Sequence, residues 1–295
     1  MTETPLTVTS IADEVLDAVR GYNRHQDRVT SLSAPMSAAD LTFTVADANS
    51  LSKGQVEIQD EIVQISSVDT STGIISIEPW GRGQSGTTAA THAAGVRVTS
   101  SPLYPRQRIY NAIYGVLREI FPDVYGVNST LLDGSAVKIN YALPADCYLV
   151  LRVESQVLGG SGEWVPLTHW RVDKLPTTVE LEILSPVTLG EDHIRVLYIR
   201  IPPVSLTAAS DLTTYGYDYQ IRDLVVLGAA AKLLAFTESA RIQVSSMVAH
   251  GRAEAVPAGS ASNSAKLLYQ LFQKRVEDER RQLLLRHPPQ PHYTR

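Results

Sequence analysis

Apolar residues recur at helical spacing near the start and in the middle of the chain. The first stripe predicts a helix from Ser10 to about Val29, with Ser10 as its N-cap. The second stripe predicts a helix between Pro105 and Pro122, because proline is favoured in a first helical turn and ends a helix further along. We therefore expect two helices in the first half of the chain, separated by a long segment of different character.

Two further helices are predicted near the C-terminus, over about 219–239 and about 262–286. Between them, the segment 241–261 is rich in small residues, and we expect a mobile loop that a partner orders. Prolines predict an extended tail over 288–295. The first of the two helices also contains a run with almost no side-chain bulk, which would let another helix approach closely: Gly228, Ala229, Ala230 and Ala231.

Two segments switch to the period of two that is typical of strands. In 36–101, short alternating runs are separated by turn formers, which predicts a small β-barrel-like module. In 127–210, the prolines fall at the edges of the alternating runs, where they leave the hydrogen bonding of a sheet intact. This second segment predicts an antiparallel β-sandwich.

Together these elements predict an α+β protein: a helical bundle formed by the N-terminal, central and C-terminal helices, with an inserted small β-barrel-like module and a β-sandwich. The predicted parts are 1–35 (N-terminal helix of the bundle), 36–101 (β-barrel module), 102–126 (bundle helix), 127–210 (sandwich), 211–287 (C-terminal bundle helices with the mobile loop 241–261) and 288–295 (extended tail).

Composition narrows the class of protein. A chain of 295 residues with 44% hydrophobic and 19% charged residues is typical of a soluble globular protein. No apolar run reaches the roughly 18–20 residues that a transmembrane helix needs, and the acidic start does not resemble a signal peptide. The single cysteine, Cys147, cannot form an intrachain disulfide, and its apolar neighbours predict a buried, inert thiol. We therefore expect synthesis in a cytoplasm and no contact with a membrane.

No arrangement of residues predicts catalysis, and we expect neither a cofactor nor a metal. The glycines of the segment 81–86 lack the Lys-Ser/Thr pair of a phosphate loop, and the seven histidines are scattered. Asp60 and Glu61 alternate faces of a predicted strand, so they cannot both act on one substrate. For these two carboxylates we expect solvent or the surface of a neighbour.

The most informative motif lies in the module. Asp60-Glu61 is followed by Arg82-Gly83, by Gly86-Thr87, and then by His92, Gly95 and Val98. This succession resembles a β-module that recurs in virion proteins of tailed bacteriophages, in which "Asp-Glu-apolar" leads to "Arg-Gly-x-x-Gly-Thr" and "His-x-x-Gly-x-x-Val". The resemblance implies a phage particle. It also implies that part of the motif shapes a turn and contacts a neighbouring subunit: Arg82, Gly83, Gly86, Thr87, His92 and Gly95.

The last two helices resemble those of head-to-tail adaptor (connector, neck) proteins of tailed phages, notably in 222–235 and 274–283. Typical members are shorter and mostly helical, so the two β-regions would be additions. The resemblance implies a closed twelvefold ring between the portal protein and a stopper or tail-completion protein. Double-stranded DNA would pass through it without sequence-specific binding. It further implies a structural protein of the virion neck, made in the cytoplasm of the host bacterium.

Charge is distributed unevenly, although the net charge is only −5. Residues 266–295 carry seven basic and three acidic side chains, which leaves an acidic body suited to a DNA conduit. One interpretation is that the basic groups complement the negative end of the last helix. The other is an interface with the portal or another partner, formed by Arg275, Arg280, Arg281, Arg286, His287, Tyr293 and Arg295.

Two alternative functions follow from the same features. A tail-tip, baseplate or fibre protein could carry the same β-module, and the sandwich with Trp164 and Trp170 would then contact the host surface. A virion-associated hydrolase is disfavoured, because no catalytic constellation accompanies the motif.

Overall fold

The computed structural model describes residues 6–20, 27–134, 139–156, 163–174, 178–184, 193–204, 206–247 and 260–290. Over these residues the protein is mixed α+β, with four α-helices and three antiparallel sheets. The helices are α1 (Val8–Arg20), α2 (Arg106–Ile120), α3 (Ile221–Met247) and α4 (Ser260–Arg286). All four contribute side chains to one apolar core, among them Ile11, Ile113, Leu224 and Phe272.

The first helix begins and ends earlier than the sequence predicts. It ends at Arg20, and the predicted helical end at Val29 lies instead in a strand that pairs with Arg97–Ser100. Its N-terminal cap is Thr7, whose Oγ1 accepts from the amide of Ser10 at 3.2 Å. The prediction failed because the pairing partner of Val29 lies about 70 residues later in the chain.

Part of the predicted mobile loop 241–261 is helical. Helix α3 continues to Met247 and helix α4 begins at Ser260, while 248–259 lie outside the described residues. No glycine or proline interrupts the chain between Gly228 and Met247, so no residue there opposes a continued helix.

The inserted module is a six-stranded antiparallel sheet. Its strands are β1 (Arg28–Ser31), β2 (Thr42–Thr44), β3 (Gly54–Ile58), β4 (Glu61–Val68), β5 (Ile74–Ile77) and β6 (Arg97–Ser100), in the order β1-β6-β3-β4-β5-β2. The two outer strands approach each other beyond their ends. The amide of Ser33 donates to Thr44 O and the amide of Ala46 donates to Ser31 O, both at 2.9 Å. The sheet therefore curls around its own apolar core, which includes Phe43, Ile58, Ile65 and Val98.

The second β-region forms two facing antiparallel sheets. One has the order β10-β9-β13-β7 and the other β11-β12-β8. A separate apolar core between them includes Tyr141, Trp170 and Val196. The strands are β7 (Gly126–Asp133), β8 (Asn140–Leu143), β9 (Cys147–Gln156), β10 (Trp164–Pro166), β11 (Trp170–Lys174), β12 (Val179–Ile183) and β13 (His193–Arg200).

Candidate functional site

The motif of the module converges on one buried carboxylate, that of Glu61. Arg82 donates to both of its oxygens, from Nε at 2.7 Å and from Nη2 at 2.9 Å. His92 Nε2 lies 2.8 Å from Oε2, and the amides of Gly83 and Ala90 each donate at 3.0 Å. The Glu61 side chain is 1% exposed. Five groups therefore satisfy this carboxylate, and the loop between β5 and β6 is folded around it.

Hydrogen bonds keep Glu61 ionised in this site. Burial alone would raise its pKa, but the donors on Arg82 and His92 outweigh it, with the amides of Ala90 and Gly83 adding to them. The net result is a pKa of about 2. At neutral pH the motif therefore holds a buried ion pair between Glu61 and Arg82.

The remaining groups of the cluster fix the loop. The second guanidinium edge of Arg82 donates from Nη1 to Ser37 O at 2.7 Å and to Asp40 O at 3.0 Å. The Oγ1 of Thr87 accepts from the amide of Ile62 at 3.0 Å. His92 exchanges two backbone hydrogen bonds of 2.8 Å with Met36. Three glycines of the motif have positive φ angles that side chains rarely adopt: Gly83, Gly86 and Gly95.

The environment of Glu61 differs from the sequence expectation of solvent or a neighbouring surface. The expectation placed Asp60 and Glu61 on opposite faces of one strand, but Asp60 lies in the turn before β4, and a loop 20 to 30 residues later covers Glu61. The signal was present in the motif itself, which joins an acid, an arginine and a histidine. Because no lone pair of the carboxylate is left for a substrate, the arrangement organises the loop and offers no acid–base chemistry.

A second polar cluster joins the module to the bundle. Tyr110 OH, on α2, donates to Asp60 Oδ1 at 2.7 Å. Glu57 Oε1 accepts from the amide of Arg106 at 2.5 Å, so a strand of the module caps the N-terminus of α2. The guanidinium of Arg106 also pairs with Asp13 of α1 at 2.6 Å. The module is thereby fixed to two helices of the bundle.

Glu57 lines a cavity of about 300 Å³ at this junction, together with Arg97, Thr99 and Tyr104. Burial raises the pKa of Glu57 to about 7, although the amide and charge of Arg106 favour the ionised form. The sequence patterns did not indicate a role for Glu57. The alternation of β3 places Glu57 on the face opposite Val56 and Ile58, and only the fold shows that the N-terminus of α2 covers that face.

The predicted partner arginines lie on α4 and are mostly exposed. Arg286 donates to Asp218 Oδ2 and to Gln220 Oε1, both at 2.6 Å. Arg281 pairs with Glu277 at 2.5 Å, and Arg280 lies 3.4 Å from Asp123. Arg275 is half-buried on the same helix. Arg286 therefore links α4 to the segment before α3, whereas Arg280 and Arg281 make exposed ion pairs of small energy.

The chain after α4 does not leave the molecule at Arg286. Gln290 lies along strand β9, where its amide donates to Leu151 O at 2.9 Å and its Oε1 accepts from the amide of Val153 at 3.3 Å. His287, between the end of α4 and Gln290, is half-buried, and burial lowers its pKa. The predicted tail residues Tyr293 and Arg295 lie outside the described residues.

The small-residue run of α3 lies inside the bundle. Gly228 faces Phe272 of α4 and Val116 of α2, and a Cβ atom at this position would lie 2.8 Å and 2.9 Å from their side chains. Ala229, Ala230 and Ala231 are buried beside it.

The two tryptophans that the sequence offers for a host contact differ in their exposure. Trp170 is buried in the sandwich core, where its Nε1 donates to Leu167 O at 3.0 Å, so it is not available to a host surface. Trp164 is partly exposed, and the guanidinium of Arg195 lies 4.4 Å from its ring centroid.

Cys147 is buried, and burial raises the pKa of its thiol to about 11.

Within the described residues, no three His, Cys, Asp or Glu side chains are grouped so that they could hold a metal ion. Among the helices of that same part, none is long and apolar enough to cross a membrane.

No protein-family model matches the chain, and a comparison with curated proteins gives no match. Solved structures that match this chain include chains of gene transfer agent (GTA) particles. A chain in the neck of the empty GTA particle, computed with C6 symmetry, is 15% identical with a TM-score of 0.24, over 57% of this chain and 77% of that one. A chain in the neck of the native particle, computed with C12 symmetry, is 15% identical with a TM-score of 0.23, over 56% and 82%. A chain of the native GTA virion is 16% identical with a TM-score of 0.23, over 57% and 75%. These three similar chains belong to structures of the neck or of the virion of gene transfer agent particles.

Proposed function

We propose that this protein is a structural head-to-tail adaptor of a tailed phage. Copies form a ring, twelvefold by the resemblance, which lies beneath the portal, joins the capsid to the tail and lets double-stranded DNA pass. The observation that carries the proposal is the convergence of the motif on Glu61. Residues that resemble a virion β-module form one physical unit, and that unit builds a loop and leaves no reactive group.

The remaining architecture supports a scaffolding role. Helices from both ends of the chain share one core, and the module is fixed to that bundle by Asp60 and Glu57. A rigid body of this kind is suited to transmitting force between the capsid and the tail. Its acidic surface suits a DNA conduit, because attraction to phosphates would slow the passage of DNA.

The contact with the portal is assigned to the chain beyond Gln290. Gln290 itself is hydrogen-bonded to β9, so a tail that reaches a partner above the ring starts after this residue and includes Tyr293 and Arg295. Arginine suits such a contact, because its guanidinium binds a carboxylate through two parallel hydrogen bonds.

The location of the protein in the particle tests the proposal. We expect an antibody to this chain, labelled with gold and viewed by electron microscopy, to mark the junction of head and tail. Label at the distal tip would contradict the adaptor and favour contact with the host surface. An antibody to a capsid protein serves as the matched control, because it must label the shell in the same preparation.

A further inference from the structure

An exposed tryptophan lies on a rigid turn of the module. The side chain of Trp80 is 65% exposed, although its backbone is fixed on both sides. The amide of Gly81 donates to Glu78 O and the amide of Gln64 donates to Gly81 O, both at 2.7 Å. A large aromatic side chain on a fixed backbone loses less conformational entropy on burial than one on a mobile loop, and exposed aromatic residues dominate the energy of many interfaces.

Apolar and acidic groups surround this tryptophan. Leu41 is 43% exposed, and its carbonyl accepts from the amide of Ile77 at 2.7 Å, so it lies against the same turn. Glu78 and Asp40 flank the two apolar residues, and hydrogen bonds from Ser37 lower the pKa of Asp40. The nearby guanidinium of Arg82 is already neutralised by Glu61. We call Asp40, Leu41, Glu78 and Trp80 the tryptophan patch, an apolar surface with a negative rim.

The last turns of α4 carry a surface of the opposite charge. Leu284 and Leu285 are 49% and 82% exposed. Arg280 and Arg281 precede them by one helical turn and are exposed as well. Their present partners, Asp123 and Glu277, form surface pairs that water and a new partner can replace. We call Arg280, Arg281, Leu284 and Leu285 the leucine patch, an apolar surface with a positive rim.

The fold attaches the two patches to different ends of helix α2. The module meets the N-terminal end of α2 through Glu57 and Arg106, whereas Arg280 lies beside Asp123, which follows the C-terminal end. Helix α2 has 15 residues and is therefore about 22 Å long. One chain consequently presents both surfaces at the same time, so that each is free to meet another molecule.

We propose that the tryptophan patch of one copy binds the leucine patch of the next copy. Trp80 and Leu41 would pack on Leu284 and Leu285, while the acidic rim faces Arg280 and Arg281. The occupant of each surface is a second copy of this chain, because the two patches match each other in apolar content and in the sign of their charge. The contact joins two different surfaces, so it can repeat from copy to copy and close into a ring.

This inference deepens the proposed function, and it rests on that function in requiring copies of the chain side by side. In this arrangement Arg280 and Arg281 contact the neighbouring copy, and the residues beyond Gln290 contact the portal.

Cross-linking in assembled particles tests the contact. In the double variant Pro79→Cys/Pro288→Cys, which places the thiols on exposed residues beside the two patches and keeps Trp80 and Leu285, mild oxidation would join each copy to the next, and we expect a ladder of multimers on a non-reducing gel. The single variants Pro79→Cys and Pro288→Cys are the controls, and neither forms a ladder, because each carries only one half of the cross-link. The natural Cys147 is buried and does not contribute.

A test with complementary variants shows whether the surfaces differ. The variants Trp80→Ser and Leu285→Ser are assembled in separate experiments. For each we expect the amount of protein incorporated into particles to fall at least about tenfold, as for other interface anchors. The charge reversal Glu78→Arg would weaken assembly, and adding Arg281→Glu would restore it. The variant Leu131→Ser changes a leucine that is exposed on β7, outside both patches, and should assemble normally.

Absence of the ladder, or normal assembly of both serine variants, would overturn the contact. Gold label at the neck without a ladder would retain the adaptor and reject this interface. A ladder together with label elsewhere in the particle would retain the interface and reject the adaptor.

Discussion

Two buried glutamates of the module, Glu57 on β3 and Glu61 at the start of β4, lie four positions apart, and the fold shifts their pKa values in opposite directions. Glu61 has five donors around it and a pKa of about 2, so its charge stabilises the fold. Glu57 has the amide of Arg106 as its close donor, and burial raises its pKa to about 7. The difference arises from the loop that closes over Glu61 and supplies it with hydrogen bonds.

Glu61→Gln should destabilise the protein by about 3–5 kcal/mol, because it leaves the buried guanidinium of Arg82 without its counter-charge. Urea unfolding at neutral pH measures the loss. The control is Glu78→Gln on the same module, a partly exposed carboxylate whose change should cost less than about 0.5 kcal/mol. A cost for Glu61→Gln as small as that of the control would contradict the assigned role.

Glu57→Gln should stabilise the protein at alkaline pH. The pKa of Glu57 rises from 4.5 to about 7 on folding, so the folded state binds the proton more tightly. Stability therefore falls as the pH rises between these values, by up to about 3 kcal/mol above the folded pKa. Glutamine stays neutral and can still accept from Arg106. We expect the variant to exceed the wild type in free energy of unfolding at about pH 8, and the gap to shrink towards about pH 4.5. A gap that does not change with pH would rule out this explanation.

At the scale of elements, the bundle depends on the close approach of three helices at one point. Gly228 of α3 lies where a Cβ atom would meet Phe272 and Val116 at under 3 Å. Gly228→Ala should therefore cost about 1–3 kcal/mol, even though alanine favours a helix over glycine by about 1 kcal/mol.

Gly115 of α2 offers a matched control for this prediction. A Cβ atom there would meet only the flexible end of Lys232, at 3.2 Å. Gly115→Ala should be neutral or stabilising by up to about 1 kcal/mol. The melting temperatures of Gly228→Ala and Gly115→Ala separate the effect of crowding from that of helix propensity. Equal changes in the two variants would contradict the close packing at Gly228.

The sequence patterns located the elements better than their ends. The period of the apolar residues predicted all four helices that the structure describes, because each has a face that must be buried in the shared core. Strand β1 was missed, since a four-residue strand is fixed by its partner β6 far along the chain. The role of Glu57 could not be predicted for a similar reason, because the helix that buries it comes from another segment, whereas the motif around Glu61 did contain the arginine and the histidine that pair with it.

At the scale of the whole molecule, the segment after α4 connects the helical bundle to the sandwich through Gln290. Gln290 docks on β9 directly after the last turn of α4, and the chain beyond it is the proposed anchor to the portal. Two truncations separate these roles. Ending the chain at Gln290 should leave the melting temperature unchanged and weaken docking to the portal.

Ending the chain at Arg286 should weaken docking and also lower the melting temperature by several degrees, because the hydrogen bonds of Gln290 are lost as well. Thermal unfolding and binding to purified portal measure the two effects. Full docking by the chain that ends at Gln290 would show that the anchor lies elsewhere.

The pairing of β1 with β6 has a consequence for how such a protein can be built. Arg28 lies directly opposite Ser100, so the chain enters and leaves the module at points about 5 Å apart. A segment with neighbouring ends can be exchanged as a cassette, since the helices on either side do not need to move to accept a shorter or a different one. The bundle and its inserted sheet can therefore change independently, and the residues that must change together are those at the seam: Asp13, Glu57, Asp60, Arg106 and Tyr110.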